Sequence, residues 1–188
     1  MPILGTIASS FKAGSATSFE SIATTTLTSD TTITFSSISS AYTHLQLRIT
    51  GKTTRATYQN DFISLRFNGD TGNNYASHET HGDGTNREAN STLSYGKLYN
   101  GASIGSTAMS SSTFGAAVID ILDYKNTNKY KVTRGLGGWD NNGEGWTGLC
   151  SGLWMSTSAI TSITLLGGEG ANLANGTRVA LYGIKVAS

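Results

Sequence analysis

Residues 42–50, YTHLQLRIT, decide the fold class of this chain. Leu45, Leu47 and Ile49 alternate with polar residues along the stretch. In a strand, successive side chains point to opposite faces, so the three apolar side chains are predicted to share one face and the polar ones the other. Such alternation is typical of an antiparallel sheet with one buried face. The stretch therefore predicts an all-β protein.

The same pattern extends over most of the chain. Residues 61–67, DFISLRF, alternate again, with Ser64 and Arg66 predicted to face outward. Runs rich in β-branched and aromatic residues predict further strands at residues 19–26, 31–35, 75–82, 92–99, 113–124, 129–136, 145–155, 160–166 and 177–185. A short turn of helix is expected only near residues 156–160. This number of strands predicts a single antiparallel β-sandwich of the jelly-roll type.

Four Asn-Gly pairs separate predicted strands. Because both residues tolerate a positive φ, the Asn-Gly pair is a strong signal for a tight hairpin turn. The pairs are Asn68-Gly69, Asn100-Gly101, Asn142-Gly143 and Asn175-Gly176. We predict a turn at each of them.

Length and composition exclude several classes of protein. The chain has 188 residues, of which 13% are charged, and a net charge of +1, so no basic surface for nucleic acid or for a membrane is predicted. Its single cysteine, Cys150, excludes an internal disulfide. No apolar run approaches the length of a transmembrane helix. We expect an extended N-terminal arm over residues 1–18 and one β-sandwich domain over residues 19–188.

Two clusters contain residue types that ligate metal ions. His78, His81 and Asp83 form the first, but the two histidines of a strand at this spacing would point to opposite faces. Asp140 and Glu144 flank the second, which the Asn-Gly turn between them already explains. The sequence leaves open whether either cluster binds an ion, and we predict neither a metal site nor a cofactor.

Aromatic residues flank two predicted turns. Trp139 and Trp146 flank one, which also contains Asp140, and Tyr124 and Tyr130 flank the preceding one. Exposed aromatic rings at loop tips can stack on sugars or on a protein partner. The same rings could instead be rim residues of the sandwich or part of an oligomer interface. No catalytic group can be assembled from the sequence, and we predict that the protein is not an enzyme.

The sequence contains a set of recognisable phrases, namely TITFSSI (32–38), YTHLQLR (42–48), FNGD (67–70) with NY (74–75), IDILDY (119–124), NTNKYK (126–131), SGLWM (151–155), AITSI (159–163) and ALYGIK (180–185). Together these phrases resemble a widespread family of virion proteins from tailed bacteriophages, of the tail, fibre or capsid-decoration type. The resemblance implies a non-enzymatic component of the particle, assembled in the cytoplasm of the bacterial host. It transfers no active-site residues, and it leaves the position in head or tail open.

Three classes of function follow. The first is a structural protein that acts through contacts with other virion proteins, and we expect a homotrimer because the edge strands of a sandwich need to be covered. The second is an adhesin that binds a host receptor or glycan through Tyr124, Tyr130, Trp139, Asp140 and Trp146. The third and least favoured is an enzyme acting on surface polysaccharide. The first class is the prediction, and the second is its alternative.

Overall fold

The computed structural model describes residues 18–186, and within them the chain is all β with no helix. Its twelve strands are β1 (Phe19–Thr26), β2 (Ile33–Phe35), β3 (His44–Thr53), β4 (Asn60–Phe67), β5 (Tyr75–Gly82), β6 (Arg87–Tyr95), β7 (Leu98–Ser106), β8 (Gly115–Leu122), β9 (Lys131–Asp140), β10 (Gly145–Trp154), β11 (Ile163–Gly167) and β12 (Arg178–Ile184). The helical turn expected near residues 156–160 is absent, since residues 155–162 join β10 to β11 without regular structure. No helix in the described part could cross a membrane. Apart from Ser18, the predicted arm lies outside the described residues.

The strands form one open, mixed sheet in two runs. The longer run has the order β1-β12-β3-β8-β9-β10-β5-β6, and the shorter has the order β2-β11-β4-β7. A short parallel pairing, in which Lys52 and Thr53 of β3 lie beside Gly105 and Ser106 of β7, connects the two runs. Every other pairing between these strands is antiparallel. The antiparallel prediction is therefore correct except at this junction.

The alternation predicted for β3 is confirmed, because Leu45, Leu47 and Ile49 are all buried in the core. In β4, however, Ser64 is fully buried instead of facing outward. The pairing of β4 with β7 shifts register at this residue, and a bulge of this kind redirects a side chain. The Ser64 hydroxyl donates a hydrogen bond to the backbone oxygen of Tyr99 at 2.6 Å. Burial of this polar side chain is thus compensated.

Three of the four Asn-Gly pairs form turns. Positive φ angles occur at Asn68-Gly69, at Asn142-Gly143 and at Gly176. The strands that flank Asn142-Gly143, β9 and β10, pair with each other, so this turn closes a hairpin. The prediction is wrong for Asn100-Gly101, which lies inside β7, and the strand predicted over residues 92–99 is in fact divided between β6 and β7.

Glycine residues at the crossing of β7 and β9 allow β7 to lie directly on the face of β9. A Cβ atom built on Gly135 would lie 1.8 Å from the backbone oxygen of Gly101, and one on Gly137 would lie 2.2 Å from that of Ser103. Both distances are too short for any side chain. We call the approach at these four residues the β7–β9 contact. It fixes the position of β7 on β9.

The β7–β9 contact predicts that Gly135→Ala is strongly destabilising. The added methyl group would meet a backbone oxygen, which cannot rotate away, so β7 would have to move. Overpacking of this kind costs about 1–3 kcal/mol, or roughly 2–12 °C in Tm for a chain of this size. Thermal unfolding followed by circular dichroism measures the loss.

Gly82→Ala is the matched control, because a Cβ atom there would lie 3.5 Å from its nearest neighbour, an ordinary contact distance. We expect its Tm to remain close to that of the unaltered protein. An equal loss in both variants would contradict the role given to the β7–β9 contact.

Candidate functional site

A cleft of about 570 Å³ lies where three segments meet. These segments are residues 57–60 before β4, the turn between β5 and β6, and the β9–β10 hairpin. Its lining consists of Thr57, Tyr58, Gln59, Asn60, Asp83, Thr85, Asn86, Trp139, Gly143, Glu144, Gly145 and Trp146. We call it the tryptophan cleft. Aromatic rings with a few convergent polar groups are the usual composition of a ligand site.

The hairpin turn places the two tryptophans side by side. Trp139 and Trp146 are directly opposite each other in the pairing of β9 with β10. Positive φ angles at Asn142 and Gly143 allow the chain to reverse within the four residues between Asp140 and Gly145. Because side chains alternate along a strand, Trp139 lies on the same face of β9 as Gly137. The indoles therefore face the side on which β7 packs.

Both indole N–H groups lack a hydrogen-bond partner. The Nε1 atoms of Trp139 and Trp146 are buried, and neither has an acceptor among residues 18–186. A buried donor without a partner costs about 1–3 kcal/mol. The ring of Trp146 also stacks on the imidazole of His81, with centroids 3.8 Å apart. The two indole donors therefore stay unsatisfied within the described part of the chain.

Amide and carboxylate groups connect the walls of the cleft. Gln59 donates through Nε2 to the carboxylate of Glu144 on the hairpin. Asn141 donates through Nδ2 to Oε1 of Gln59 at 2.8 Å. These bonds tie residues 57–60 to the β9–β10 turn. They also place a carboxylate and amides beside the indoles.

Tyr58 and Asp83 complete the rim. Tyr58 is 58% exposed, and the guanidinium of Arg55 lies 4.7 Å from the centre of its ring. Asp83 accepts hydrogen bonds through Oδ1 from the backbone N–H groups of Asn86 at 2.6 Å and Thr85 at 2.8 Å. Hydrogen bonds from Asn86 and Thr85 lower the pKa of Asp83 to about 2, so this carboxylate is charged at neutral pH.

The structure divides the aromatic residues predicted from the sequence between two places. Trp139 and Trp146 meet in the cleft, and Asp140 follows Trp139 in the chain. The Oδ1 atom of Asp140 accepts a hydrogen bond from the backbone N–H of Asn142 at 2.8 Å. Tyr130 precedes β9 at its opposite end, and at about 3.3 Å per residue the strand separates it from Trp139 by roughly 30 Å. Tyr124 is buried, because its ring packs in the hydrophobic core. The tyrosines and tryptophans therefore do not form one site.

Several residues of the cleft escape prediction from the sequence, among them Tyr58, Gln59 and Asn86. Tyr58, Gln59 and Asn86 come from loops that contact the hairpin only through the order of the strands. No motif joins them to the tryptophans in sequence. The pairing of β10 with β5 brings Asn86 to the cleft. The pairing of β4 with β7 brings Tyr58 and Gln59 there.

The groups considered as possible ion ligands have other roles. His78 is exposed and His81 is buried, on opposite faces of β5 as predicted. Asp83 caps its own turn, Asp140 does the same, and Glu144 accepts from Gln59. Among the described residues, no group of three or more histidines, cysteines or acidic residues could hold a metal ion.

A buried acidic residue lies behind the tryptophans. The carboxylate of Glu79 lies 3.7 Å from the imidazole of His81 and accepts a hydrogen bond from Asn90 at 3.3 Å. Burial raises its pKa above the ordinary value. Burial also raises the pKa of the neighbouring Cys150 thiol to about 12, so this thiol stays protonated at neutral pH.

No protein-family model, curated protein or solved structure matches the chain.

Glu79 predicts a specific dependence of stability on pH. Its pKa is higher in the folded than in the unfolded chain, so its contribution to stability is lost as the pH rises through the folded pKa. Glu79→Gln removes this loss and retains an acceptor for Asn90. We expect the variant to gain a few degrees in Tm at pH 8 and less at pH 4.

Glu88→Gln serves as the control, since Glu88 also lies near His81, at 3.5 Å, but its side chain is largely exposed. Its Tm should follow that of the unaltered protein at both pH values. A gain from Glu79→Gln that is equal at pH 4 and pH 8 would contradict the assignment.

Proposed function

We propose that the chain is a non-enzymatic structural component of a tailed-bacteriophage virion, which acts through protein–protein contacts and assembles as a homotrimer. The observation that carries the proposal is a row of exposed apolar side chains on the outer face of the sheet. The family resemblance of the sequence supports the same function. Position in the head or in the tail is a matter for experiment.

The row crosses three neighbouring strands. Val118 of β8, Leu136 of β9 and Leu149 of β10 lie side by side in the register of the sheet. They are 37%, 59% and 49% exposed. We call these residues the apolar row. A sheet face that remained in water would be expected to carry polar side chains at these positions.

Charged groups lie around the apolar row. The Asp120 carboxylate accepts a hydrogen bond from the Arg134 guanidinium at 2.9 Å next to it. Arg48 and Arg178 line the adjoining groove, which has a volume of about 680 Å³. An apolar centre with a polar rim is the usual anatomy of a protein interface.

A second copy of the chain is the partner that we propose for this face. The formal net charge is only +1, so identical chains repel one another weakly. Strand β6 is an edge strand that is exposed along almost its whole length. Covering it would prevent its unpaired backbone groups from pairing with other chains. Contact between two different surfaces, the apolar row of one copy and β6 of the next, can close into a ring such as a trimer.

We also propose that the two runs of strands form a sandwich of the jelly-roll type. The β7–β9 contact supports this arrangement, because it places a strand of the shorter run face to face with the longer run. Buried apolar side chains from β3, β4, β8 and β11 meet in one core, as two packed layers would require.

The apolar row predicts the effect of Leu136→Asp on assembly. A carboxylate in the middle of the row would have to be desolvated on association, which opposes the contact. We expect light scattering after size exclusion to give the mass of three chains for the unaltered protein and of one chain for the variant. Circular dichroism should show the same fold for both.

Val186→Asp is the control for this experiment, because Val186 is 57% exposed and lies outside the apolar row. It should leave the trimer intact. A monomeric unaltered protein, or a trimer that persists in Leu136→Asp, would contradict the proposed assembly.

Position in the virion can be tested directly. Gold-labelled antibodies against the chain should decorate particles of the phage that encodes it, at repeated and symmetric positions under the electron microscope. Absence of the chain from purified particles by mass spectrometry would refute the virion assignment.

A further inference from the structure

We infer that the tryptophan cleft binds a neutral saccharide. The inference goes beyond the structural role proposed above, since it concerns the opposite face of β9 and β10. It rests on three features of the cleft: its aromatic rings, its polar groups and its charge.

The aromatic rings supply surfaces for stacking. Trp139 and Trp146 line one wall and Tyr58 the rim. Tyr58 is more than half exposed, so its ring is accessible to a ligand. The C–H groups on one face of a pyranose ring form an apolar patch that packs on such rings. Because indole and phenol also have polar atoms, they can bind a ligand that is apolar on its face and polar at its edge.

The carboxylates and amides of the lining can also bind a ligand. Glu144 and Asp83 carry carboxylates in the lining, and Gln59 and Asn86 carry amides. A carboxylate can accept more hydrogen bonds than these groups receive within the chain, and sugar hydroxyl groups both donate and accept, so one ring can bond to carboxylate and amide groups together. An extended peptide offers fewer donors, because its own N–H groups are single and widely spaced.

The charge of the cleft indicates a neutral ligand. Two carboxylates and no lysine or arginine occur among the described residues that line it. Arg55 lies over the ring of Tyr58 and donates to the backbone oxygen of Asn60 at 3.3 Å, outside the lining. An acidic sugar or a phosphate would therefore meet repulsion.

The backbone holds these groups in place before any ligand arrives. Ser106, at the end of β7, donates from its backbone N–H to the Gln59 oxygen at 2.9 Å and from its hydroxyl to the Tyr58 oxygen at 2.5 Å. Residues 58 and 59 are thus anchored to β7, which the β7–β9 contact fixes against the tryptophans. A preorganised site loses less conformational entropy on binding.

The test uses the full chain and a panel of neutral and acidic glycans on an array, followed by titration with the glycan bound best. Two of the three tryptophans of the chain lie in the cleft, so tryptophan fluorescence reports on binding there. We expect binding to one or more neutral glycans with a saturable change in fluorescence. Tyr58→Ala should weaken the binding about tenfold, and Glu144→Gln should weaken it as well.

Tyr130→Ala is the matched control, because Tyr130 is 51% exposed and lies at the other end of β9. It should bind as the unaltered protein does. Binding of no glycan, preference for acidic glycans, binding of a proline-rich peptide in place of glycans, or equal affinity in Tyr58→Ala and Tyr130→Ala would each overturn the inference. None of these results depends on the oligomeric state, so they do not bear on the proposed assembly.

Discussion

The approach of two backbones at the β7–β9 contact is the constraint on which the rest of this structure depends. With Gly135 and Gly137 at the crossing, β7 lies against β9 without intervening side chains. Strand β7 in turn pairs with β4 and, through Ser106, holds the loop that contains Tyr58. A larger residue at the crossing would separate β7 from β9 and move this loop away from the tryptophans.

The alternation of apolar and polar residues predicts the strands that bury one face. It does not predict a strand that is buried on both faces and built from small residues. Strand β3 was recognised because its apolar and polar residues alternate. Strand β7, LYNGASIGS, is almost entirely buried although it is rich in small and polar residues. Its residues serve close packing against β9, and this requirement leaves no periodic signal. Its Asn100-Gly101 pair even indicates a turn that the structure does not contain.

Prediction of the candidate site was limited by the order of the strands. Trp139 and Trp146 could be paired because a recognisable turn lies between them in sequence. Tyr124 has the same position beside a turn, but its ring packs in the core, and composition alone does not distinguish the two cases. Tyr58 and Gln59 are some eighty residues from the hairpin. Only the fold brings them together, so their contribution was unpredictable from the sequence.

Strands β9 and β10 present Leu136 and Leu149 on one face and the two indoles on the other. In the proposed assembly each chain would bring one tryptophan cleft, on the face of β9 and β10 opposite to the apolar row. When several sites on a rigid particle engage one surface, the avidity can exceed the affinity of a single site by roughly 10²–10⁴. Weak, quickly reversible recognition by each copy would then suffice for durable attachment by the whole particle.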